Sequence, residues 1–172
     1  MSNDAAYPKF EHIRHKPPTE LTQARPLVVA CSPLRSNVNL STIIRTAGCC
    51  GVNEVIATGT AKINSKIARD GAEQVKLTVK RSLLPVLKKL SLEGYTLVGL
   101  EQTTHSSQLG SYQFPHKCAL VIGSEREGLS QECLDLLDAV VEIPIWGLPF
   151  SYNVATATSM CVLNYCMQYP EG

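Results

Sequence analysis

The sequence predicts an α/β protein: one parallel sheet with helices on both faces. Three observations carry this. Apolar runs of about five residues recur along the chain, too short for helices and bounded by polar or Gly-containing turns. Between them lie segments whose apolar residues repeat at helical spacing. Strands that are apolar throughout, and not alternately, belong to sheets covered on both sides. The chain has 172 residues, 44% of them hydrophobic and 18% charged, which suits one domain with a proper core.

The elements follow in order. Residues 1–25 are polar, include Pro17-Pro18, and read as an N-terminal arm; residues 26–172 form the domain. Leu27–Cys31 is the first strand. Leu40–Cys50 is a helix with an apolar stripe of Leu40, Ile43, Ile44 and Ala47, stopped by Gly51. Glu54–Thr58 is a strand, Asn64–Asp70 a short helix closed by Gly71, and Lys76–Val79 a short strand. Ser82 caps a helix that runs to Leu92, with Pro85 in its first turn. Tyr95–Leu100 and Cys118–Gly123 are strands. Ser130 caps Gln131–Leu137, Ala139–Ile143 is the last strand, and Val154–Gln168 the last helix.

Composition narrows the function. Net charge is +1, yet residues 1–90 hold 14 basic and 6 acidic side chains, and residues 91–172 hold 2 and 9. A basic half suggests an anionic macromolecular partner, or simply solvated helix faces. No apolar stretch is long enough to span a bilayer, and the start of the chain lacks a secretory pattern, which points to the cytoplasm. The seven cysteines, 31, 49, 50, 118, 133, 161 and 166, show no Cys-x-x-Cys spacing and read as reduced thiols, most of them in the core. The four histidines are scattered, so no metal site is expected.

Parallel sheets bind ligands at loops beyond the carboxyl ends of their strands. The loops after Cys31, Leu100, Gly123 and Ile143 are therefore the candidates. No Gly-x-Gly-x-x-Gly follows the first strand and no Gly-Lys-Ser/Thr loop occurs, so the common nucleotide-binding motifs are absent. Three loops carry chemistry. In the first, Arg45 lies within the apolar helix pattern, six residues after Asn39. An Arg in such a pattern is costly unless paired, and its planar fork suits a phosphate; turned outward, it is an ordinary surface residue. In the second, a strand runs into Gly123-Ser-Glu125-Arg-Glu-Gly128. Gly123 permits close backbone approach, and Glu125 can accept hydrogen bonds from a backbone or a sugar; alone, this is also an ordinary strand-to-helix loop. The third is Ile143-Pro-Ile-Trp-Gly-Leu-Pro-Phe-Ser-Tyr-Asn153. Ile143, Leu148 and Tyr152 are placed to sandwich a planar base, with Ser151 and Asn153 offering hydrogen bonds nearby.

Together, in this order, the loops resemble the SpoU/TrmH family of RNA ribose 2′-O-methyltransferases of the SPOUT class, over about residues 27–168. The family pattern Asn-x-Gly-x-x-x-Arg-x-Ala is met by Asn39, Arg45 and Ala47. Gly-x-Glu-x-x-Gly is met by Gly123, Glu125 and Gly128. Ile-Pro followed by Gly and Ser-Leu-Asn-Val is met by Ile143, Pro144, Gly147, Ser151, Asn153 and Val154. Two positions depart from it: Ser41 stands for the family's Gly and Tyr152 for its Leu.

The resemblance implies a SPOUT fold with a deep C-terminal trefoil knot and a homodimer whose active site draws on both chains. It implies S-adenosylmethionine as the cofactor, held by Leu100, Gly123, Ile143, Gly147, Leu148, Tyr152 and Asn153. It implies Arg45 as the catalytic residue, with Asn39, Glu125, Ser151 and Asn153 positioning it or the substrate. The expected partner is RNA, with tRNA methylated at guanosine 18 favoured and ribosomal RNA and the tRNA wobble position open. Neither a membrane nor a metal is expected to take part. Two alternatives stand: a non-catalytic RNA-binding member of the same fold, and a small-molecule binding domain.

Overall fold

A computed structural model of the chain describes residues 10–14 and 16–172. The first nine residues and His15, part of the expected N-terminal arm, lie outside the described residues. The expected sheet is present and wholly parallel. It comprises β1 (Leu27–Cys31), β2 (Glu54–Thr58), β3 (Lys76–Lys80), β4 (Thr96–Leu100), β5 (Ser107–Gln108), β6 (Cys118–Ile122) and β7 (Ala139–Glu142). Its seven strands stand in the order β3-β2-β1-β6-β4-β7-β5. β6 is inserted between β1 and β4, pairing Leu27–Cys31 on one side and Thr96–Leu100 on the other.

The strands are apolar throughout because alternate residues face different helix layers. Val29, Cys31, Leu120 and Ile122 pack with α1 (Asn37–Cys49) and α6 (Val154–Gln168). Val28, Ala30, Ala119 and Val121 pack instead with α4 (Leu83–Leu92) and with Cys133 of α5 (Gln131–Leu134). β1 and β6 are buried along their whole length.

Several elements differ in detail from the sequence reading. α1 starts at Asn37 because the Ser36 hydroxyl caps it, accepting from Asn39 N–H. The expected helix over Asn64–Asp70 is two short pieces, α2 (Ser65–Ala68) and α3 (Gly71–Gln74), broken where Arg69 takes a positive φ of 50°. The helix after Ser130 ends at Leu134, and its continuation to Leu137 is turn. Ser82 sits at the cap position of α4 but makes no capping bond. β5 is a two-residue edge strand without an apolar run, which leaves no pattern to read.

The last residues of the expected arm pack against the body of the protein. Thr22 N–H donates to Glu171 O at 2.9 Å, and Arg25 Nε donates to Cys50 O at 2.8 Å. Arg25 is buried, and its guanidinium also reaches the carbonyls of Tyr169 and Pro170. The entry to β1 is thereby tied to the end of α6. Among the described residues no helix is long and apolar enough to cross a membrane.

Candidate functional site

Parallel strands bring all their carboxyl ends to one edge of the sheet. A cavity of about 440 Å³ opens there, over the ends of β4, β6 and β7. That size falls in the range of small-molecule sites. Leu100, Ile122, Ile143, Ile145, Val154 and Ala157 give it apolar lining. Glu101, Glu125, Glu142, Arg126, Ser151 and Asn153 give it a polar edge of three carboxylates and one guanidinium.

The loop after β6 is shaped by two glycines. Ser124 and Gly128 pair backbone to backbone, N–H to O, at 3.0 and 3.2 Å. A Cβ on Gly123 would stand 2.6 Å from Gly128 Cα, so the loop closes only with glycine there. Gly128 has φ +64°, and a Cβ on it would collide with the Glu101 carboxylate. That carboxylate accepts from Leu129 N–H at 3.0 Å and Gln102 N–H at 3.1 Å. The β4 and β6 loops are thus held to each other. The sequence motifs do not single out Glu101; its one signal is an acid directly after the end of an apolar strand.

One chain of hydrogen bonds joins the three motif loops. The Glu125 carboxylate accepts from Arg35 N–H at 3.0 Å, Ser36 N–H at 3.1 Å and Asn39 Nδ2 at 3.0 Å. The Asn39 side-chain oxygen accepts from Asn153 Nδ2 at 3.0 Å. The Asn153 side-chain oxygen caps α6, accepting from Ala155 N–H at 2.9 Å and Thr156 N–H at 3.3 Å. A carboxylate only accepts, so Asn39 must turn its amide nitrogen to Glu125 and its oxygen to Asn153. Asn153 is oriented in turn. Desolvation pushes the Glu125 carboxyl upward, but the donated bonds from Arg35, Asn39 and Ser36 outweigh it and hold it below the ordinary value.

The other expected site residues divide. Leu100, Gly123, Glu125, Ile143, Ser151, Tyr152 and Asn153 all line the cavity. Asn39 does not line it but is buried behind it, in the relay. Gly147 and Leu148 lie outside the lining, and Leu148 is 78% exposed, so the expected sandwich of a base by Leu148 does not form within this chain. Tyr152 is exposed at the cavity's edge and leaves the cavity open. Ser41, where the family pattern has Gly, is fully buried; its hydroxyl donates to Asn37 O and accepts from Asn64 N–H at 2.7 Å. The added Cβ is absorbed by a contact that fixes the start of α2.

Arg45 is where the sequence reading needs correction. It is exposed, and makes no hydrogen bond or ion pair among the described residues. The apolar buried stripe of α1 is Leu40, Ile43, Ile44 and Ala47, flanked by the buried polar residues Asn39 and Ser41. At about 100° per residue, position 45 falls off that stripe. Its neighbour Thr46 bonds Ser159 of α6 through their hydroxyls at 2.7 Å.

The SpoU rRNA Methylase family pattern matches residues 26–163. The mouse tRNA (guanosine(18)-2′-O)-methyltransferase TARBP1 is 30% identical over 152 residues, covering 85% of this chain. The chain spans only 10% of that relative's length. The crystal structure of the A. aeolicus TrmH/SpoU tRNA modifying enzyme superposes with a TM-score of 0.81 at 25% identity, over 88% of this chain and 79% of that one. The SpoU methyltransferase AviRb from Streptomyces viridochromogenes, solved in complex with AdoMet, superposes with a TM-score of 0.74 at 25% identity, over 88% of this chain and 63% of that one. The family match spans most of the domain and takes in all three loops that the relay joins: the chain belongs to the SpoU rRNA methylase family.

Proposed function

We propose that the protein transfers a methyl group from S-adenosylmethionine to a ribose 2′-hydroxyl of RNA. The observation that carries this is the Glu125–Asn39–Asn153 relay, which locks the three family loops around one cavity. The cavity suits the cofactor. Its apolar lining fits a flat base, and the carboxylates of Glu101, Glu125 and Glu142 along its edge favour a sulfonium cation. The bound cofactor supplies the methyl electrophile, which is its own chemistry.

The chain's part is to hold, orient and exclude water. Leu100, Ile143 and Tyr152 contact the base; Ser151 and Asn153 offer hydrogen bonds beside it. Asn39 and Glu125 fix Asn153 and the start of α1. Arg45 reaches the RNA, placing a phosphate beside the 2′-hydroxyl and assisting loss of its proton.

Arg45 faces away from the buried stripe of its own chain, which favours a site completed by a second copy. Met160, Leu163 and Met167 leave an apolar face on α6 exposed, and the proposed homodimer covers it. We assign the deep trefoil knot to the C-terminal part of the chain, with Ile143–Tyr152 as one of its loops. The free thiols support a cytoplasmic setting.

The favoured substrate is tRNA at guanosine 18, supported by the activity for which the mouse relative is named. Ribosomal RNA is the alternative. RNA binding without transfer is the second reading, and the outward Arg45 favours it for an isolated chain. Incubation with methyl-tritiated S-adenosylmethionine and unmodified tRNA tests both. Label in alkali-resistant dinucleotides supports transfer. Binding of both ligands without label supports the second reading.

A further inference from the structure

A second cavity, of about 610 Å³, lies beside the first on the same edge of the sheet. It covers the loops after β1, β2, β3 and β6, whereas the first covers the ends of β4, β6 and β7. The β6 loop belongs to both: Ser124, Glu125, Arg126 and Gly128 line each cavity. The strand order makes this unavoidable, because β6 is the middle of seven strands with β1, β2 and β3 to one side. The two cavities share the β6 loop as a common wall.

The second cavity is built differently. Arg35, Arg81 and Arg126 line it, from the loops after β1, β3 and β6. None of the three guanidinium groups forms an ion pair or hydrogen bond with another described residue. Glu125 and Glu127 also line it. The Glu125 carboxylate accepts from Arg35 N–H, Ser36 N–H and Asn39, and Glu127 forms no ion pair among the described residues, so three guanidinium groups stand against two carboxylates and keep a net positive charge for another anion. From β3 to β6 is three strand spacings, about 14 Å at roughly 4.8 Å each, so the charges are spread along the groove. A single small anion does not need such a spread; a run of phosphodiesters does.

We propose that this Arg35–Arg81–Arg126 groove holds the phosphodiester backbone of the RNA segment flanking the methylated nucleotide. The proposal rests on the methyltransferase reading above and places the RNA track within it. The ribose then sits at the β6 loop, where the groove meets the cofactor cavity. Arg35 and Arg81 are RNA-positioning residues that do not line the cofactor cavity.

The test is the full chain carrying Arg35→Glu and Arg81→Glu together, with unmodified transcribed tRNA and S-adenosylmethionine as separate probes. Expected is a tenfold or greater rise in the RNA Kd, and a salt dependence of log Kd shallower by roughly 1.4 to 1.8, the loss of two phosphate contacts. The cofactor Kd should stay within about twofold. Arg35→Lys with Arg81→Lys should keep most of the RNA affinity, since charge is retained. Unchanged RNA affinity and salt slope in the Glu variant overturn the groove. So does a parallel loss of cofactor affinity, which would mark a damaged fold. If the wild-type chain binds tRNA through these arginines yet transfers no methyl group, the groove stands and the methyltransferase reading falls.

Discussion

Asn153 and Asn39 lie 114 residues apart in sequence and bond side chain to side chain at 3.0 Å. Their contact joins the cap of α6 to the first turn of α1, and Asn39 passes it on to Glu125. Each amide has one orientation that satisfies all its partners, so the three loops are registered against one another.

Asn39→Ala should lower stability by about 1 kcal/mol, because it removes the hydrogen bonds of a buried side chain while its exposed partners, Asn153 and Glu125, turn to water. For a chain of this size each kcal/mol lowers Tm by roughly 2–4 °C. Asn39→Asp is the sharper variant. It sets two carboxylates side by side, so one must hold a proton or repel the other. Its loss of Tm against wild type should be larger at pH 7 than at pH 4. An equal loss at both would mean that the contact with Glu125 is not made.

Glu125 has its carboxyl held below the usual value by its donated bonds, against an opposing desolvation. Its folded value is depressed, so it stabilises the protein above the unfolded value of about 4.3. That stabilisation is lost as pH falls through the folded value. Melting curves from pH 7 to pH 3 should therefore fall more steeply for wild type than for Glu125→Gln. Identical slopes would remove the relay from the protein's pH dependence.

The contrast between legible and hidden features has physical causes. β1, β2 and α6 match the sequence reading to the residue: apolar runs between polar flanks set the strands, and an Asn cap sets the helix start. The break between α2 and α3 is hidden because it depends on a positive φ at Arg69, a residue type that does not announce one. The site residues Asn39, Glu125 and Asn153 are visible as motif members. Their mutual bonds are not, since they depend on β6 being inserted between β1 and β4. The exposure of Arg45 follows from helical phase, which a list of neighbours in sequence obscures.

Leu163→Glu should convert the protein to a monomer. Leu163 is 54% exposed on α6, beside exposed Met160 and Met167, and a charge there opposes apolar contact with a second copy. Light scattering at micromolar concentration should give a dimer mass for wild type and about half of it for the variant. A monomeric wild type would leave the α6 face to another partner.

Arg45→Ala should abolish methyl transfer while leaving folding and cofactor affinity close to wild type. An exposed side chain without a partner among the described residues contributes little to stability, within about 0.5 kcal/mol. If Arg45 serves the cavity of a second copy, the loss can be complemented. Asn153→Ala damages the cavity but keeps Arg45, and Arg45→Ala keeps the cavity. A mixed dimer of the two inactive chains then contains one site with both an intact cavity and an intact arginine. Co-refolding the variants should restore up to about a quarter of wild-type activity. Half the dimers are mixed under random pairing, and each has one working site of two. Restored transfer above the sum of the separate variants places Arg45 in trans. No restoration, with mixed dimers shown by native mass spectrometry, places its action within its own chain.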